Sequence, residues 1–180
     1  MTFQIAYARR PLARKSARAG LTPLSGNQFE GYASLFNVPD GGGDTVAPGA
    51  FAASLRRRGP AQVRLLYQHF AHAPIGVWEE IAEDTRGLYV RGRLTDEVEQ
   101  ARDVRALLAD GALNGLSIGF RTVRARRGPR RNTRTLLEVE LWEISVVTFP
   151  LLAGSTVTAI GAARPDLARM FREAGAALSV

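Results

Sequence analysis

The chain has 180 residues, 46% of them apolar, which is enough for one domain with a sizeable core and too little for two comfortable ones. It has no cysteine, which excludes disulfides, thiolate metal sites and cysteine catalysis, and no run of about eighteen apolar residues that would cross a membrane. The net charge of +7 is carried almost wholly by arginine, since all but one of the 24 basic residues are Arg, and they cluster at 56–58 and 121–134 without interleaved aromatics, as a solvated basic loop or hairpin tip would.

In chain order, residues 1–24 carry Arg9, Arg10, Arg14, Lys15 and Arg18 with no apolar stretch behind them, so they read as a basic flexible segment and not as a signal peptide. Phe29, Gly31, Ala33 and Leu35 alternate with Glu30, Tyr32, Ser34 and Phe36, which predicts a strand that breaks into a loop at 39–44. A short helix is expected over 49–58, stopped by Gly59-Pro60. Residues 63–70 read as a buried strand with Val63, Leu65, Tyr67 and His69 on one face. Segments 76–82 and 87–94 form a hairpin through 83–86. A helix over 96–108 buries Val98, Ala101, Val104 and either Leu107 or Leu108, and Gly111 ends it.

The next strand holds Gly115-Leu116-Ser117-Ile118-Gly119, and after the Arg-rich segment comes the longest strand signal, 135–150, stopped by Pro150. Strict alternation puts Leu137, Val139 and Leu141 on one face, followed there by Glu143, Ser145, Val147 and Phe149, while Glu138 and Glu140 take the other face. Beyond the domain proper, 25–160, the segment 161–180 has Leu167, Met170, Phe171, Ala174 and Leu178 at the spacing of an amphipathic helix.

Three polar residues stand out from this pattern. Ser117 lies between glycines, where the backbone can turn tightly and a substrate main chain can approach. A serine hydroxyl needs an adjacent base to become a nucleophile, and the chain has only two histidines, His69 and His72. His69 ends an apolar stripe, whereas His72 lies in Ala71-His72-Ala73-Pro74, a turn, and ranks second. Glu143 continues an apolar face, where an unpaired carboxylate is costly and calls for a donor such as an imidazole N–H. Zinc fits poorly, because two histidines would need carboxylates to complete the site, so no metal and no cofactor are expected.

Six blocks occur in order: Gly31-Tyr32-Ala33-Ser34-Leu35-Phe36, Pro48-Gly49-Ala50-Phe51, Leu65-Leu66-Tyr67-Gln68-His69, Pro74-Ile75-Gly76, the run from Gly111 to Phe120 around Ser117, and the run from Glu138 to Pro150 around Glu143. Together they resemble the caudoviral prohead serine proteases over roughly residues 28–157. The resemblance implies an α+β fold with a mainly antiparallel β-barrel core and a few surrounding helices, like the herpesvirus assemblins. It implies a serine endopeptidase inside an assembling procapsid in the bacterial cytoplasm, removing scaffold or the scaffolding segment of the major capsid protein, and in some cases itself. Carried over by motif, Ser117 is the nucleophile, His69 the base and Glu143 the third member, a role the assemblins give to a second histidine. The source particle stays open between a tailed phage, a prophage remnant and a phage-derived gene transfer agent. Two rival readings are a non-enzymatic assembly protein on a protease-like fold and an Arg-rich nucleic-acid-binding module. A homo-oligomer is compatible with the sequence; nucleic acid is not required and no membrane is expected.

Overall fold

One eight-stranded sheet organises the computed structural model, which describes residues 24–128 and 130–162. The basic segment expected at the start and the amphipathic helix expected at 165–178 lie outside those residues, apart from Leu24. The strands are β1 (Gln28–Leu35), β2 (Asp44–Val46), β3 (Arg64–Tyr67), β4 (Pro74–Glu83), β5 (Gly87–Leu94), β6 (Gly115–Arg127), β7 (Arg134–Val147) and β8 (Val157–Ile160). Two α-helices among the described residues, α1 (Ala52–Arg58) and α2 (Glu99–Asp110), accompany them.

The longest strand, β7, is the hub. One edge pairs antiparallel with β6, and the other carries β2 and then β3, both parallel to it. Between β2 and β3 that edge would be left with open donors, and the α1 region fills the gap. The Val139 N–H donates to Ala50 O (3.0 Å) and the Leu141 N–H donates to Ser54 Oγ (3.0 Å). Strand order continues from β3 through β4, β5 and β1 to β8, with all these pairs antiparallel. The sheet curls until its ends meet: Leu116 N–H reaches Ser155 O, Val157 N–H reaches Asn114 O, and isolated bridges join Phe36 to Val46 and Gly115 to Thr156. Inside lie Phe29, Phe51, Leu65, Ile75, Leu88, Leu116, Leu141 and Ile144, all fully buried, so the mainly antiparallel barrel-like core expected from the sequence is present.

Local chemistry explains most boundaries. At the β4–β5 tip the Asp84 carboxylate accepts from the N–H groups of Arg86 (2.8 Å) and Gly87 (3.0 Å), closing a tight turn. The helix α2 ends at Gly111, whose left-handed backbone (φ 77°) suits a C-terminal cap. Leu108 is the buried alternative, while Leu107 and Val98 stay exposed. The Arg-rich segment is less of a loop than expected: β6 runs on to Arg127, and β7 begins at Arg134. Cross-strand charge pairs explain this, since Arg121 lies opposite Glu140 and Arg124 opposite Glu138, so the arginines stabilise a ribbon.

Candidate active site

β3 stops at Tyr67, earlier than the expected end at residue 70. Gln68 and His69 are both left-handed (φ 53° and 62°), a conformation that non-glycine residues hold only when their surroundings enforce it. The end of β7 does so. The Gln68 N–H donates to Val146 O (3.0 Å), the Gln68 side chain and Thr148 exchange two hydrogen bonds (2.6 and 3.3 Å), and the His69 N–H donates to Ser145 Oγ (3.1 Å). His69 therefore does not continue the Val63, Leu65 and Tyr67 stripe. The turn swings its ring back towards β7, where Nδ1 lies 2.7 Å from Glu143 Oε1. The imidazole is 45% exposed and the carboxylate 14%, so the pair has a buried side and an open side.

Glu143 also sits differently from the expectation. Gly119 faces Glu143 and Phe120 faces Leu141 across the ladder, leaving Trp142 as an extra, exposed residue in β7. This β-bulge reverses the alternation: Leu141 points into the core, while Glu143 and Ser145 occupy the opposite face. The carboxylate thus pairs with an imidazole, as the chemistry required, but not because it continues an apolar face. Its second oxygen, Oε2, accepts from Ser145 Oγ (2.6 Å).

Ser117 lies directly opposite Ser145 in the β6–β7 register, and Gly119 directly opposite Glu143. Facing residues of an antiparallel pair share a face with Cβ atoms about 4.5–5.5 Å apart, which brings Ser117 beside the Ser145–Glu143–His69 chain. Ser117 is half-buried, and no hydrogen bond joins it to His69 among the described residues. Such contacts commonly tighten only when substrate is bound. A narrow, partly open crevice borders Ser117 and is lined by Val38, Leu116, Ile118, Leu151 and Ser155 among others. Gly119 has a steric role in this site: a Cβ there would overlap the Glu143 carboxylate. His72 stays in its turn with its ring stacked on Phe70 (centroids 5.5 Å apart), while the carboxylate binds His69. Ser145 was not singled out by sequence reasoning. Its signal was the spacing Glu143-x-Ser145, which puts both side chains on one strand face.

An imidazole whose Nδ1–H is held by a carboxylate offers the Nε2 lone pair as a base, and a hydroxyl on the adjoining strand is a group such a base can activate. Fold and site together define a small curled β-sheet protein with a carboxylate–imidazole pair beside a half-buried serine. Residues 16–169 match the caudovirus prohead serine proteases, and the chain belongs to that family. It is 40% identical over 124 residues to the prohead protease of Enterobacteria phage HK97, an alignment covering 68% of this chain and 55% of that protein. The chain thus spans about half the length of this curated relative. Its fold matches the capsid assembly protease of bacteriophage T4 with a TM-score of 0.56 at 13% identity, over 68% of this chain and 82% of that one. The KSHV protease aligns with a TM-score of 0.47 at 13% identity, over 72% of this chain and 63% of that one.

Proposed function

We propose that this chain is a serine endopeptidase of capsid maturation, acting inside the assembling procapsid in the host cell on scaffold or on the scaffolding segment of the major capsid protein. The observation that carries the reading is the 2.7 Å hydrogen bond between His69 and Glu143 on the face that also bears Ser117, in a chain of the prohead protease family. His69 takes the Ser117 proton as Oγ attacks the scissile carbonyl, and the acyl-enzyme is then hydrolysed by water. Glu143 holds the ring in the tautomer with the proton on Nδ1 and offsets the charge of the imidazolium.

Two serines adjoin the His–Glu pair, and their exposure supports Ser117 as the nucleophile. Ser145 is fully buried with its hydroxyl proton committed to Glu143, so it cannot meet a polypeptide; Ser117 is half-buried beside a partly open crevice. The test is co-expression with the neighbouring major capsid protein, followed by intact mass of the capsid product. Wild type yields a shortened capsid protein, whereas Ser117→Ala leaves it full length and folds normally. Cleavage retained by Ser117→Ala removes Ser117 from the mechanism. A full-length product with folded, incorporated wild type favours a non-enzymatic assembly role.

A further inference from the structure

We infer that Ser145 is a positioning residue that sets both halves of the His69–Glu143 pair, an inference that rests on the protease reading above. A serine hydroxyl has one proton to give and lone pairs to accept with, and Ser145 uses both capacities inside the site. It gives its proton to Glu143 Oε2 (2.6 Å), which fixes the carboxylate so that Oε1 faces the ring. It accepts the backbone N–H of His69 (3.1 Å), which helps hold that residue in its left-handed turn. One side chain therefore fixes the carboxylate rotamer and the backbone from which the imidazole projects.

Among the described residues no other side chain duplicates this, and the Glu143 carboxylate bonds to His69 and Ser145. Complete burial of Ser145 also separates it from substrate, so its effect on the reaction passes through its two neighbours. Loss of the hydroxyl removes a charge-assisted hydrogen bond from the carboxylate and an acceptor from the His69 N–H. Misplacement of a base by about 1 Å costs on the order of a hundredfold in rate, and it falls on kcat because substrate binding does not involve Ser145.

The experiment compares the full chain as wild type, Ser145→Ala and Ser145→Thr, the threonine restoring the hydroxyl. Proton NMR follows the Nδ1–H resonance of His69, with His72→Gln removing the other imidazole, and hydrogen exchange follows the His69 amide. Kinetics use the capsid protein segment as substrate. The expected result is loss of the ring N–H resonance and of amide protection in Ser145→Ala, with kcat down about a hundredfold and KM within about twofold. Both signals and most of kcat return in Ser145→Thr. An unchanged resonance, amide protection and kcat in Ser145→Ala overturn the inference. If no form cleaves while the two NMR signals still follow the hydroxyl, the protease reading fails and the positioning of His69 and Glu143 by Ser145 stands. Should Ser145→Ala not fold, the Ser145→Thr spectrum decides: a resonance lost with the hydroxyl present also overturns it.

Discussion

Gly119 and Glu143 face each other across the β6–β7 ladder with no room for a methyl group between them. Gly119→Ala is therefore expected to push the carboxylate off His69, lowering cleavage by at least about tenfold and stability by about 1–3 kcal/mol. A cleavage time course read by intact mass, with urea denaturation alongside, checks both; a wild-type rate would show that the carboxylate position does not matter. Ser117, His69 and Glu143 were legible in the sequence as residue types and as family blocks. The geometry that joins them was not. No periodicity announces that Gln68 and His69 both turn left-handed, because that conformation is imposed by Val146, Ser145 and Thr148, about 80 residues further on.

β7 shows why element-level reading succeeds in kind and fails in facing. Its β-branched and apolar content marks a strand, and the observed Arg134–Val147 agrees with the expected 135–150 to within a few residues. A bulge adds one residue, which a period of two cannot register, so every facing after Trp142 is inverted relative to strict alternation. Pairing partners far along the chain decide such a feature. The same element yields a stability prediction. Ser54 of α1 is buried and supplies the acceptor for the Leu141 N–H where neither β2 nor β3 reaches. Ser54→Ala leaves that donor unsatisfied and should destabilise by about 1–3 kcal/mol, seen as a lower urea midpoint with an unchanged slope. An unaltered midpoint would mean that water replaces the hydroxyl.

Across the whole molecule, Glu140 ties α1 to the β6–β7 ribbon. Its carboxylate accepts from Arg121 (2.7 Å) and from Arg58 (2.7 Å), and these two guanidinium groups, Arg121 foremost, hold it down at about 2 against an ordinary 4.5. A depressed carboxylate contributes stability that is complete above its unfolded value and is lost as pH falls through the folded one, so the loss falls between about 4.5 and 2. Glu140→Gln should flatten that part of the stability profile, measured by urea midpoints across the window; an unchanged slope would show that the pair adds nothing to the fold. The solvated basic tip read from composition is in part this network, since Arg121 and Arg134 pair with Glu140 and Asp44. The arginines were legible as a cluster, but which acids they meet depends on strand register.

The parallel β3–β7 pairing has a further consequence, in the order of events during folding. Ser117, Ser145 and Glu143 arrive on adjacent strands of one hairpin, whereas His69 reaches its carboxylate across 74 residues of sequence. Distant parallel pairings close later than hairpins, because the chain entropy of the long loop must be overcome first. His69 should therefore join Ser117 only after the β6–β7 hairpin has closed, so cleavage, on the proposed function, returns later than that hairpin's refolding phase after dilution from urea. Activity ahead of that phase would contradict it. If the proposed function holds, the strand order itself writes a delay between synthesis of the chain and its first cut.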